Sequence, residues 1–91
     1  MMQLARRTDP HTSHAAAHLA KALSADHQRA ILAALNEHGP MGKDAIGVWT
    51  MLTGHQVGKR LPELQRMGLV KPTGRTVPSE SGRQEREWER L

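Results

Sequence analysis

Seventeen residues near the middle of the chain, TGHQVGKRLPELQRMGL at positions 53–69, constrain the fold more tightly than any other stretch. Thr53 is a natural N-cap, and Gln56 three residues on completes a capping box. Val57, Leu61 and Leu64 recur at i, i+4 and i+7, one face of a helix, with Gln56, Lys59, Arg60 and Glu63 on the other side. Gly68 suits the left-handed C′ position, and Leu69 would then meet Leu64 in the contact that accompanies a Schellman stop. The segment therefore predicts a short helix over 54–67 with a marked start, a marked end, an inward face and a largely basic outward face. Pro62 lies past the first turn, where it removes a backbone donor and directs its ring at the carbonyl of Gly58. A kink or loosened turn is expected there, with His55 to Arg60 held ahead of it.

A helix of this length needs a core to pack on. With no Phe or Tyr and only Trp49 and Trp88, that core must come from Leu, Ile, Val, Met and Ala. Ninety-one residues suffice for one small domain. Ser24 is a candidate cap for a preceding helix in which Ala30, Ile31, Ala34 and Leu35 form the buried stripe, with Leu32 at its edge and Gly39-Pro40 as its stop. A shorter helix is expected from about Lys43 to Thr50, anchored by Ile46 with Ala45, Trp49 or Leu52 beside it. Gly47 in that helix lowers its intrinsic stability but allows close approach of the next one. A turn of three or four residues then leads into the capped helix, giving a helix-turn-helix layout.

Upstream, Met1 to Arg7 carries no pattern, Thr8-Asp9-Pro10 is turn chemistry, and Thr12 or Ser13 is placed to cap an extra Ala-rich helix through AAAHLAKAL. Its stripe of Ala17, Leu19, Ala20 and Leu23 is thin and would pack on the domain or on a second subunit. Residues 1–11 read as a flexible arm and 12–91 as one domain. His11, His14 and His18 have helix-face spacing, but no carboxylate or cysteine lies close by to complete a metal shell. They read as solvated histidines, and neither metal nor cofactor is called for. Downstream, Leu69 to Lys71 starts a strand, Pro72-Thr73-Gly74 signals a turn, and 74–83 reads as a mobile loop carrying Arg75 and Arg83. The tail QEREWERL is compatible with a helix or with a strand returning beside 69–71.

Charge is unevenly placed. Residues 1–23 carry Arg6, Arg7 and Lys21 against Asp9, residues 24–54 two cations against three acids, and residues 55–91 eight Lys/Arg against five Glu. The core-building middle is slightly acidic while both ends are basic, as suits contact with a polyanion. The chain lacks cysteine and any apolar run of the ~20 residues that span a bilayer, so neither a disulfide framework nor membrane insertion is expected. Catalytic spacing is equally absent: no nucleophile is paired with a base, and no glycine loop cradles phosphate.

The helix order, the string RLPELQRMGLV at 60–70, the loop ending in Ser81-Gly82-Arg83 and the late Trp88 resemble winged helix-turn-helix domains. TDPHTSHAAA at 8–17 followed by that layout is similar to small winged-helix proteins of bacteriophages and prophages. The resemblance runs from Thr8 to Leu91 and implies a mainly α fold: a three-helix core, the extra N-terminal helix and a two-stranded β wing formed with 84–91. Three positions depart from the pattern: Gly42 replaces a Ser/Thr cap, Met51 a turn glycine, and Glu87 an apolar strand residue. The resemblance further implies a non-enzymatic, cytoplasmic protein of a bacterial host cell, acting in transcription regulation or replication on double-stranded DNA, alone or as a homodimer. In that reading helix 54–67 enters the major groove. Lys59 or Arg60 addresses guanine, Gln56 adenine, His55 a phosphate or base, and Arg75 and Arg83 the phosphates or minor groove, with Arg6 and Arg7 as an arm. The alternative is a winged-helix module that docks on a host or phage protein complex, since this fold does not fix function.

Overall fold

The computed structural model describes residues 10–91, with side chains from Leu19 onward. The arm cations Arg6 and Arg7, and the side chains of His11, Thr12, Ser13, His14 and His18, lie outside the described residues. The described chain is mainly helical with a small antiparallel sheet: α1 (Pro10–His38), β1 (Met41–Gly42), α2 (Lys43–Thr50), α3 (Gly54–Arg66), β2 (Val70–Pro78) and β3 (Gln84–Arg90).

Two expected helices are one. The Ala-rich segment and the stripe-bearing segment run continuously as α1, about 44 Å long at 1.5 Å per residue. No glycine or proline separates them, and the Ser24 hydroxyl is engaged from the side: it accepts a hydrogen bond from the Arg60 guanidinium of α3. Ser24 is thus a helix-interior contact rather than a cap, and the extra N-terminal helix is the first half of α1. Pro10, which the sequence placed in a turn and in the arm, opens this helix with His11, a position that tolerates its missing N–H. At the far end Gly39 adopts φ +86° and donates to the Leu35 carbonyl, the stop that Gly39-Pro40 announced.

α3 forms as its end signals require. Thr53 Oγ1 accepts from the Gln56 N–H at 3.1 Å while Gln56 Oε1 accepts from the Thr53 N–H at 2.9 Å, the reciprocal capping box. At the other end Gly68 has φ +76°, its N–H donates to the Gln65 carbonyl, and the Leu69 N–H reaches the Leu64 carbonyl, both at 3.0 Å. Those two bonds are the Schellman pair. The helix runs unbroken through Pro62, whose side stays exposed.

The core gathers Ile31, Ala34 and Leu35 from α1, Ile46 from α2, and Val57, Leu61 and Leu64 from α3. Met41, Val70 and Trp88 close it from the sheet. Ile31, Ile46, Val57 and Leu64 have no exposed surface, each worth roughly 1.5–3 kcal/mol of burial. Ala45, Leu52 and Leu69 pack at its margin, whereas Trp49, a candidate neighbour of Ile46, is 56% exposed and stacks on His38 instead.

The sheet has three strands in the order β1-β3-β2, where the sequence predicted two. β1 is two residues long, pairing Met41 with Trp88 and Gly42 with Glu87, too short to leave a period in the sequence. β2 also runs farther than expected, through Pro72-Thr73-Gly74 and the first half of the supposed loop to Pro78. A register shift between Pro72 and Thr76 accommodates them, with Gly74 at φ +93°. Pro72 is tolerated because β2 is an edge strand. Glu87 holds the irregular stretch: its Oε1 accepts from Thr73 Oγ1 at 2.8 Å and from Arg75 at 2.7–2.8 Å. Glu87, at a strand position where an apolar residue was expected, therefore fastens the bulge. The tail is a strand, and its tight turn at 79–82 is closed by Ser79 N–H to the Arg83 carbonyl. None of the helices among the described residues is long and apolar enough to cross a membrane.

Candidate nucleic-acid interface

Three residues, Met51 to Thr53, join α2 to α3. Met51 takes φ +61°, ψ +24°, the left-handed conformation for which the turn would favour glycine, and its side chain is almost wholly in solvent. Gly47 contributes close approach, to the turn rather than to α3: a Cβ there would lie 2.9 Å from the Leu52 carbonyl oxygen. The turn is thereby pulled against α2, which fixes where α3 begins.

The second brace ties the hairpin to α2. Gly42 is the residue before α2 and supplies no side-chain cap. The cap comes from across the sheet, where Glu85 Oε2 of β3 accepts the Asp44 N–H at 3.0 Å. Asp44 Oδ2 in turn accepts the Glu80 N–H of the hairpin turn at 2.7 Å. The carboxylate at a helix N-terminus also meets the favourable end of the helix dipole. Glycine at 42 is required by space, since a Cβ would come within 2.5 Å of Glu85 Oε2 and 2.6 Å of Val77 Cγ2.

On this frame the six sequence candidates divide. His55 and Lys59 are exposed on α3, one turn apart, and Arg83 is exposed at the start of the return to β3. Among the described residues neither Lys59 nor Arg83 has a carboxylate within ion-pair distance. The other three are engaged. The Gln56 carboxamide oxygen is committed to the capping box. Arg60, expected on the outward face, turns under α1: its side chain is 12% exposed, bonded to Ser24 Oγ and 3.3 Å from Glu63 Oε1. Glu63 also accepts from Gln28 Nε2 of α1 at 2.9 Å, so Arg60 and Glu63 form a polar seam between the two helices. Arg75 is 68% exposed, but its guanidinium is paired with Glu87 at 2.7 Å.

Other cations take the vacated places. Arg66, in the last turn of α3, lies seven residues after Lys59 and is exposed, so it extends the same helix face. Lys43 of α2 and Arg86 of β3 line a shallow hollow of about 200 Å³ beside Gly58 and Pro62 of α3, with Glu85 at its edge. The i, i+7 spacing of Lys59 and Arg66 was visible in the sequence; the hollow depends on the strand register, which was not. Chemically, the arrangement offers a helix with an imidazole and two cations outward, neither paired with a carboxylate among the described residues, and Arg83 and Arg86 on the hairpin alongside. Phosphate oxygens or the acceptor edges of guanine are the groups that such donors recognise. Comparison of the chain with family models, with curated proteins and with solved structures returns no match.

Proposed function

We propose that the chain is a small winged-helix DNA-binding protein of the phage type, non-enzymatic, that sets α3 into the major groove and the β2–β3 hairpin against the flanking backbone. Its role would be transcription regulation or replication support in the cytoplasm of a bacterial host. The observation that carries this reading is the division of α3: Val57, Leu61 and Leu64 are buried, while His55, Lys59 and Arg66 stand outward without carboxylate partners among the described residues. Lys59 and His55 are the base-facing residues, Arg66 and Arg83 hold phosphate, and Arg60 positions α3 from behind without touching DNA. Gln56 contributes through its free amide N–H groups while its oxygen keeps the cap.

Two phosphate-holding cations, Arg66 and Arg83, predict modest affinity and a slope of log K against log salt of about −2. The test is anisotropy titration of a random duplex across a salt series with wild type, Arg66→Ala, Arg83→Ala and Arg60→Ala. Each of the first two should lower the salt slope by about 1. Absence of retention on duplex or heparin at about 0.1 M salt would refute the proposal. The rival reading, a protein-docking module, is favoured by one observation: Arg60 and Arg75 are neutralised internally, and Asp44 and Glu80 sit at the hairpin turn where phosphate would be repelled. Lack of DNA retention together with stoichiometric capture of one host or phage protein would support it.

A further inference from the structure

α1 runs 14 residues before Ser24. Its described contacts with α3 begin at Ser24 and continue through Gln28 and Ile31. Before them stand Leu19 and Leu23, 65% and 57% exposed. Farther along the same helix is an open groove of about 280 Å³, floored by Ala30, Ala33 and Ala34, rimmed by Glu37 and Thr50, and walled by the exposed, His38-stacked Trp49. At 100° per residue, Leu19, Leu23, Ala30 and Ala34 fall within about 60° of one another. A single helix face therefore carries a ridge of two leucines and, a few turns on, a recess of alanines beside an indole.

We infer that this face pairs with the same face of a second copy, antiparallel about a twofold axis, so that each leucine ridge fills the other copy's alanine–tryptophan groove. Isologous pairing demands that a patch complement itself, and a ridge and a recess on one helix meet that demand. With Leu23 seated between Ala30 and Ala34 of the second copy, Leu19 falls between its Ala34 and His38. A twofold axis across the pair keeps like flanks together. Asp26 and Arg29, exposed on one flank and already bonded within the helix, then face Arg29 and Asp26 of the other copy as a four-charge square. Large-to-small packing of this kind lets helices approach closely. α3 packs on the Ser24–Gln28 side, about 110–150° round α1 from the centre of this face, so both copies keep His55 and Lys59 in solvent. The inference does not rest on DNA binding and is tested without DNA.

Sedimentation velocity of the full chain at tens of micromolar should give twice the chain mass. Leu19→Glu/Leu23→Glu should give the mass of one chain with an unchanged far-UV spectrum and a cooperative melt, because both positions are exposed. A wild type at single-chain mass, or a double variant that stays doubled, overturns the inference. Cysteine linkage reads the register independently, since the natural chain has no cysteine. Mixed Leu23→Cys and Ala30→Cys chains should cross-link on mild oxidation. Leu23→Cys alone should not, because its two copies lie about 14 Å apart along the antiparallel pair, beyond disulfide reach. Self-linking of Leu23→Cys would overturn the register.

Discussion

Gly42→Ala tests how the hairpin is fastened to α2. The backbone at 42, φ −82° and ψ 174°, suits any L residue, so the cost of a methyl group is not conformational. It is steric. An ideal Cβ falls 2.5 Å from Glu85 Oε2 and 2.6 Å from Val77 Cγ2. Glu85 can swing to solvent, but it then releases the Asp44 N–H and α2 loses its only described cap, a loss of about 1 kcal/mol. Val77 is β-branched and stiff at χ1, so relief there requires β2 to shift, an overpacking cost of about 1–3 kcal/mol. Against this, alanine narrows the unfolded ensemble and returns about 0.4–1 kcal/mol. The net is a destabilisation of about 2 kcal/mol, which for a domain this size lowers Tm by roughly 8–16 °C. Thermal and urea melts followed by far-UV circular dichroism measure it. Glu85→Ala alone should cost about 1 kcal/mol, and adding it to Gly42→Ala should cost less than the sum, because one of the two clashes has gone. A Gly42→Ala protein that melts with wild type, or strictly additive losses, would refute the reasoning.

Two further perturbations probe the turn and the polar seam. Met51→Gly should raise Tm by a few degrees. It removes the left-handed strain of a non-glycine residue, about 1–2 kcal/mol, at a smaller entropic cost, and a side chain 92% exposed forfeits no packing. Arg60→Ala should destabilise by about 1–2 kcal/mol in urea melts by stranding Ser24 and Glu63, whereas Lys59→Ala should leave the midpoint unchanged; equal losses would place Arg60 in solvent.

Local signals were legible wherever the chain supplies its own partner within a few residues. The capping box at Thr53, the Schellman stop at Gly68, the Gly39 stop and the bounds of α2 need no knowledge of the rest of the fold. What failed is what depends on a distant partner. Ser24 has the chemistry of a cap, and only the crossing of α3 decides that its hydroxyl serves Arg60 inside one long helix. Pro72-Thr73-Gly74 has the chemistry of a turn, and only the Glu87 carboxylate on the next strand decides that it is a bulge. β1, with two residues, has no local signature at all; Met41 and Gly42 are strand because Trp88 and Glu87 lie beside them.

The candidate site shows the same division at the level of angles. Taking Val57 as the centre of the buried face, 100° per residue puts His55, Lys59 and Arg66 within about 20° of the opposite pole. Gln56, Arg60 and Glu63 sit about 60–120° round, all on one flank. The sequence groups both sets as polar, yet only the polar set at the pole is outward under any packing. The flank set is outward or inward according to where α1 crosses, and α1 crosses there, taking Arg60 and Glu63 into the seam with Ser24 and Gln28. Arg60 is therefore spent on orienting α3, and the number of cations left to meet a polyanion falls. With only Lys59, Arg66 and Arg83 assigned to the duplex in one copy, two copies joined along α1 would double the electrostatic contact without adding a residue to either surface.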